Sequence, residues 1–303
     1  MTADFLTPKR ISVAVFRAAN NWPVYAAVRN EILGQTGVEV EVVHISSSKE
    51  QMKGLIRNEY ETIHTAADNV IAAHVEPDLA VPVEKMPRIF MGGDDGFLSV
   101  HSSSNAKSFG DLKGKRVGFD STTSGFAFVL KKILSVEGLN EGAYREVVVG
   151  GTDLRYKALI DGSIDAAIMT PPHNLLCSAA GLTKLADAST YLPKYQGLVG
   201  ACCPDSLPAQ FLKEYKAALV KSLRWLRDRR NKTSAIHILE DYLQVRADAK
   251  LLSDLYDALF SRERGGFDRS GSVDPECLDC VVMLRREFSS TAVEPPSRYL
   301  MQL

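Results

Sequence analysis

The sequence contains no apolar stretch approaching the roughly 18 residues that mark a membrane span. Insertion into a bilayer is not expected. Neither sign of charge is in surplus: 36 Lys and Arg stand against 37 Asp and Glu, a formal net charge of −1. A nucleic-acid partner, which calls for a basic face, is not expected either. Cysteine is scarce, five in 303 residues, which fits a chain that does without disulfides. Cys277 and Cys280 have CxxC spacing, and Cys202 and Cys203 are adjacent. No second CxxC or His pair stands at zinc-site spacing, so no metal and no cofactor are expected. The run Gly92-Gly93-Asp94-Asp95-Gly96 lacks the GK[ST] ending of a phosphate loop and reads as a turn. There is no internal repeat at solenoid periods and no long linker. The opening residues lack the positive start and apolar core of a secretory leader. As written, the chain is expected in the cytoplasm. A periplasmic or extracellular place is expected only if a leader has been removed.

What is present is enough apolar material for two domains, 45% hydrophobic residues in 303. Ile11 to Phe16 reads as a buried strand, followed by a polar loop and a helix opened by Pro23 that stops near Gly34 or Gly37. Val38 to Ile45 and Thr62 to Thr65 read as further strands, with helices after Ser46-Ser47-Ser48 and from Val70. Strands at Arg88 to Met91 and Phe97 to His101 flank the glycine-rich turn. A second set follows: strands at Arg116 to Phe119, Glu146 to Val149 and Ile164 to Met169, each succeeded by a helix. Strand–helix alternation with short connections predicts mainly parallel sheets, with ligands outside the carboxyl ends of the strands. The C-terminal third is mostly helical. Its last helix places Leu278, Val281, Val282, Arg285 and Phe288 on one face.

The stretch Asp111 to Gly125 concentrates the chemistry. Thr122, Thr123, Ser124 and Gly125 stand where a helix N-cap belongs, ahead of an apolar stripe at Phe126, Val129, Leu130, Ile133 and Leu134. Hydroxyls at a helix N-terminus either cap the helix or meet an anionic or strongly polar small molecule.

The run LKGKRVGFD, the hydroxyl-rich loop and helix, VGGTDLRYKALIDGSIDAAIMTPP and EYETIHTAADNVIA resemble the substrate-binding proteins of ABC importers. The nearest group is the nitrate/sulfonate/taurine-binding and thiamine-pyrimidine-synthase-like superfamily. The resemblance spans roughly residues 8–290 and implies an α/β, two-lobed periplasmic-binding-protein type 2 fold closing on a ligand by hinge motion. It implies a discontinuous lobe I of residues 1–97 plus 197–303 and a lobe II of 98–196, with crossovers near Gly92 to Gly96 and Tyr195 to Gly200.

Carried onto this chain, the resemblance places five loops at the ligand: Asn20, Asn21 and Trp22; Ser46 and Ser47 with Ser48; Thr65 to Asn69 including Asp68; Ser121, Thr122, Thr123 and Ser124; and Thr170, Pro171 and His173. Asp120 and Arg17 flank these loops. The set suits a polar or aromatic ring compound or a carboxylate held by Arg17, with Trp22 as a stacking wall. Trp22 could equally anchor a core beside Pro23. The partners implied are a small-molecule ligand and, if the chain is exported, an ABC permease.

The alternative is a cytosolic enzyme on the same scaffold, either thiamine-pyrimidine-synthase-like or a decarboxylase or dehydratase of a small carboxylate. His64, Asp68, Asp120 and His173 would supply its acid–base groups. The synthases' cysteine-rich run is reduced here to Cys202-Cys203-Pro204, and their pyridoxal-phosphate lysine has no counterpart.

Overall fold

The computed structural model describes residues 9–34, 38–76, 81–103, 105–244, 248–261 and 266–303. The expected helix stop at Gly37 lies outside the described residues. The chain opens with β1 (Lys9–Phe16), α1 (Trp22–Arg29), β2 (Val38–Ile45), α2 (Ser48–Ile56), β3 (Thr62–Ala66), α3 (Ala67–Val75) and β4 (Arg88–Gly92). Then come β5 (Ser99–Ser102), β6 (Arg116–Phe119), α4 (Gly125–Val136), β7 (Arg145–Val148), α5 (Thr152–Ile160), β8 (Ala166–Met169), α6 (His173–Ala179), β9 (Thr183–Asp187) and α7 (Ala188–Tyr191). The chain closes with β10 (Leu198–Cys202), α8 (Ala209–Arg227), α9 (Lys232–Leu243), α10 (Ala249–Phe260) and α11 (Pro275–Phe288).

Among the described residues these strands form two five-stranded sheets, ordered β2-β1-β3-β10-β4 and β7-β6-β8-β5-β9. In the first, β1 pairs in parallel with β2 and β3, while β10 runs against both β3 and β4. In the second, β6 pairs in parallel with β7 and β8, and β5 runs against β8 and β9. The chain thus leaves the first sheet after β4, builds the second, and returns to insert β10 into the first. One reversed strand per sheet makes both mixed, as a connection that crosses over and comes back requires.

The sequence periodicity assigns β2 and β6 residue for residue. It assigns no strand at Thr183–Asp187, because β9 is a partly exposed edge strand without apolar alternation. Helix α3 begins at Ala67, so Asp68 and Asn69 lie inside its first turn and not ahead of it. Ser47 caps α2 by accepting from Glu50 N at 3.4 Å, and Ser124 caps α4 by accepting from Ala127 N at 3.0 Å.

The apolar packing crosses from one sheet to the other. One cluster joins Ile63 and Val70 to Val117 and Ile168 of the second sheet, to Phe128 of α4, and to Leu278 and Val282 of α11. A second cluster packs Trp22, Tyr25, Leu223, Leu239 and Tyr256 against the first sheet's other face. Helix α11 lies against both α3 and α4 and so touches both halves.

Candidate functional site

The two crossover segments run side by side. A side chain at Gly197 would collide with the backbone of Gly96, so only glycine permits this approach. Asp94 fastens the pair: its Oδ1 accepts from Gly96 N at 2.7 Å and from Leu198 N at 2.9 Å. Gln196 Nε2 donates to the carbonyls of Asp94 (3.1 Å) and Leu198 (3.0 Å). Burial pushes the Asp94 carboxyl up to about 7, against the two backbone N–H donors and the Asn20 amide that favour its charge.

Beside this joint lies Tyr195, 5% exposed. Its hydroxyl has no hydrogen-bond partner among the described residues. Burial raises its pKa well above the ordinary value, and Asp68, Cys280, Asp94 and Asp120 add to that rise. Asn20 Oδ1, on the loop after β1, is likewise buried without a partner.

The loops at the first sheet are committed to packing. Trp22 is fully buried, donates Nε1–H to Ala235 O at 2.9 Å and meets Tyr256 and Phe260 edge-on. No ring face is left for a ligand, which corrects the expectation of a stacking wall: Trp22 is the core anchor. Asn21, 1% exposed, donates to Phe16 O. Arg17 is turned away, its exposed guanidinium donating to Tyr242 O at 2.8 Å, so it holds the end of α9 and not a ligand carboxylate. Ser46 is exposed, and Ser47 is the α2 cap. Thr65 accepts from Asn69 Nδ2 at 2.8 Å. His64 is buried under α8 with Nε2 3.0 Å from the Tyr215 hydroxyl, and burial lowers its pKa to about 4. His64 is a neutral core histidine, and its expected place in a catalytic set does not hold.

The second sheet's loops are less buried. Ser121 is half-buried, and Thr122 and Thr123 are exposed. Ser124 Oγ donates to Asp120 Oδ1 at 2.5 Å. Thr170 Oγ1 reaches Thr152 Oγ1 at 3.3 Å. Pro171 is buried, and His173 packs near Tyr156 at 5.8 Å between ring centres. Burial lowers the His173 pKa, and its charged neighbours are Asp153, Arg155 and Lys157 of the α5 segment. Arg155, 1% exposed, organises these loops: it donates to Ile168 O, Gly150 O and Thr152 Oγ1.

The two halves meet at Asp68. A methyl group on Gly125 would lie 2.5 Å from Asp68 Cβ, so the start of α4 rests directly on α3. Arg285 of α11 grips Asp68 with two bonds, Nε to Oδ1 at 2.8 Å and Nη2 to Oδ2 at 2.7 Å. The same guanidinium donates to Glu76 at 3.0 Å and to Thr123 O at 3.3 Å, and its centre lies 5.1 Å from the Phe128 ring centre. Arg285 and Asp68 are each 1% exposed. Burial works against the guanidinium charge, but Asp68 and Glu76 outweigh it and hold the pKa above its usual value. Around the rim, Lys132 pairs with Glu287 at 2.9 Å. On another side, Pro172 and Leu176 border a small cavity with Leu243, Leu252 and Leu255.

Asp94, Arg155, Tyr195 and Arg285 are the residues that sequence reasoning does not select. Arg285 left a signal: an arginine on an otherwise apolar helical face requires a buried carboxylate. Asp94 is hidden inside a run that reads as a turn. Cys277 and Cys280 sit in the first two turns of α11 as free thiols, and burial raises both pKa values, Cys277 to about 11. They are not poised as thiolates. Among the described residues no group of three or more His, Cys, Asp or Glu is placed to hold a metal ion, and no helix is long and apolar enough to cross a membrane.

A family model described as "ABC transporter, phosphonate, periplasmic substrate-binding protein" matches residues 19–196. No curated protein sequence matches the chain. Among solved structures, the periplasmic aliphatic sulphonate binding protein SsuA from Escherichia coli superposes with a TM-score of 0.77 at 15% identity, covering 97% of this chain and 92% of that one. A ligand-binding component of an ABC-type import system from Staphylococcus aureus, with zinc bound, gives 0.77 at 10% identity over 97% and 96%. The periplasmic nitrate-binding protein NrtA from Synechocystis PCC 6803 gives 0.71 at 13% identity over 92% and 80%. These likenesses establish the two-sheet fold.

Proposed function

The chain belongs to the family of periplasmic substrate-binding proteins of ABC transporters, and from that premise we propose that it captures a small polar organic molecule between two lobes that close about the Asp94 joint. Lobe I comprises residues 1–97 plus 197–303 and lobe II residues 98–196. The ligand is met by Asn20 from lobe I, by Asp120, Ser121 to Ser124 and Thr170 from lobe II, and by Tyr195 at the crossover. The partner is an ABC permease, and the working place is the periplasmic or extracellular side. Arg17 and Trp22 are not part of this proposal.

The observation that carries it is Tyr195, a buried hydroxyl without a partner, set against Gly96 where the two crossovers pass. A group of this kind costs about 1–3 kcal/mol when left unmade, so native folds seldom keep one without use. The enzyme alternative has less support, because His64 is withdrawn into the core and His173 faces α5.

The test is incubation with a metabolite extract, followed by thermal shift and mass spectrometry of what is retained. Binding raises the midpoint by mass action and returns the compound at unchanged mass. Recovery of a compound of altered mass favours the enzyme, and weaker binding of the retained compound in Tyr195→Phe and Asp120→Asn is expected for this site.

A further inference from the structure

We propose that the outer face of α8 is a docking surface for an anionic phospholipid membrane. Residues 209–232 hold eight Lys and Arg against Glu214 and Asp228, in a chain whose net charge is −1. The structure sorts these charges. Past the end of α8, Asp228 holds Arg230 at 2.5 Å, and Asp257 takes Lys232 at 2.8 Å and Arg229 at 3.4 Å. That cluster is largely balanced within the fold. The helix itself is not. Its inner face, with Phe211, Tyr215, Leu219, Leu223 and Leu226, is buried in the apolar cluster beside the first sheet. Helical spacing puts Lys213, Lys216, Lys221, Arg224 and Arg227 on the opposite side. Lys213, Lys221 and Arg224 are exposed, and Lys216 and Arg227 are half-buried. Glu214, the one carboxylate of the helix, lies at the edge of this stripe and accepts from Gln210 Nε2 at 2.8 Å.

A second segment widens the stripe. A methyl group on Gly271 would lie 2.9 Å from Lys216 Cγ and 3.2 Å from Val220 Cγ2, so this segment runs along the same side of α8. Arg269 is exposed there, close enough for its charge to add to the burial that lowers the Arg227 pKa. Six like charges thus share one face about 28 Å long. They are strung along the helix and do not converge on one point, which suits a broad negative field better than a single phosphate or carboxylate. The choice of a membrane among polyanions rests on the reading above, which sets the chain beside a permease embedded in one. Each Lys or Arg brought close to anionic lipid strengthens attachment about fivefold. The apolar side of α8 is already buried, so the helix lies on the surface and does not enter it.

The test is co-sedimentation of the full chain with vesicles of phosphatidylcholine alone and of phosphatidylcholine with an equal part of phosphatidylglycerol, at low and at physiological salt. The expected result is retention by the phosphatidylglycerol vesicles only, weakened by salt and falling about fivefold for each charge removed in Lys213→Gln and Arg224→Gln. Lys113→Gln with Lys115→Gln removes the same charge from exposed positions ahead of β6 and is expected to change nothing. No retention on the anionic vesicles, equal retention on both kinds, or equal losses from the two variant pairs overturns the proposal. So does tighter retention of the chain by a duplex oligonucleotide or by polyglutamate at the same salt, which assigns the face to a nucleic acid or an acidic protein. None of these outcomes touches ligand capture, which the thermal shift reads separately.

Discussion

At the ends of β1 and β3, Asn21, Trp22, His64, Thr65 and Asp68 are all buried. At the ends of β6, β7 and β8, Ser121, Thr122, Thr123, Gly151 and Thr170 are exposed or half-buried. Both sets occupy the position where open α/β sheets take ligands. The first has turned its polar groups inward to hold the sheet, α9 and α11 together. The second has Arg155 underneath as internal bracing, and Thr122 and Thr123 stay exposed. Strand-end position therefore does not decide use; whether the loop's polar atoms already have partners in the fold does.

The contrast can be broken most sharply at the contact where the halves meet. Arg285→Met strands the Asp68 carboxylate, and breaking a buried pair in this way costs on the order of 3–5 kcal/mol; denaturant unfolding checks it. Asp68→Asn combined with Arg285→Met should recover part of that loss, because the unpaired charge is then gone. Trp22→Ala comes next, at roughly 3–5 kcal/mol for a fully buried indole, with ligand affinity falling only as far as the fold is weakened. An affinity loss without a stability loss would return Trp22 to the cleft.

Asp94 tests the joint through pH. Its folded-state pKa is raised from 3.8 to about 7, so its contribution to stability is fully present below the unfolded value and is lost as pH rises through the folded one. Asp94→Asn keeps an oxygen for the N–H groups of Gly96 and Leu198 and removes the titration. The variant should gain stability relative to the wild type between pH 4 and 8, chiefly across the window from 3.8 to about 7, and parallel stability curves would contradict the assignment. In the second sheet's loops the expected losses are smaller. Ser124→Ala removes a cap worth about 1 kcal/mol, and Thr122→Ala, at an exposed position, should fall within about 0.5 kcal/mol of the wild type.

Much of the architecture was legible because strand–helix alternation is local. The span of β2, the span of β6 and the caps at Ser47 and Ser124 follow from a few adjacent residues. The entry of β10 between β3 and β4 is a pairing of segments more than 100 residues apart, such as Leu198 with Ala66, and no local period encodes it. The site was less legible for the same reason. Trp22 has one sequence position that suits a loop or a core, and only the arrival of Tyr256 and Phe260 decides. Tyr195, Asp94 and Asn20 share no motif and are brought together by the return of the chain. Arg285 sat in view on its apolar stripe, yet its partner Asp68 lies 217 residues away.

Arg285 of α11 ties the two halves together by bonding Asp68 on one and Thr123 O on the other. Small-angle X-ray scattering on the wild type and on Arg285→Met measures this most directly, starting from a radius of gyration near 19 Å, about the value expected of a compact chain of this length. A larger radius is expected for folded Arg285→Met, restored toward the wild-type value by a bound ligand. An unchanged radius in a variant that remains folded would contradict it.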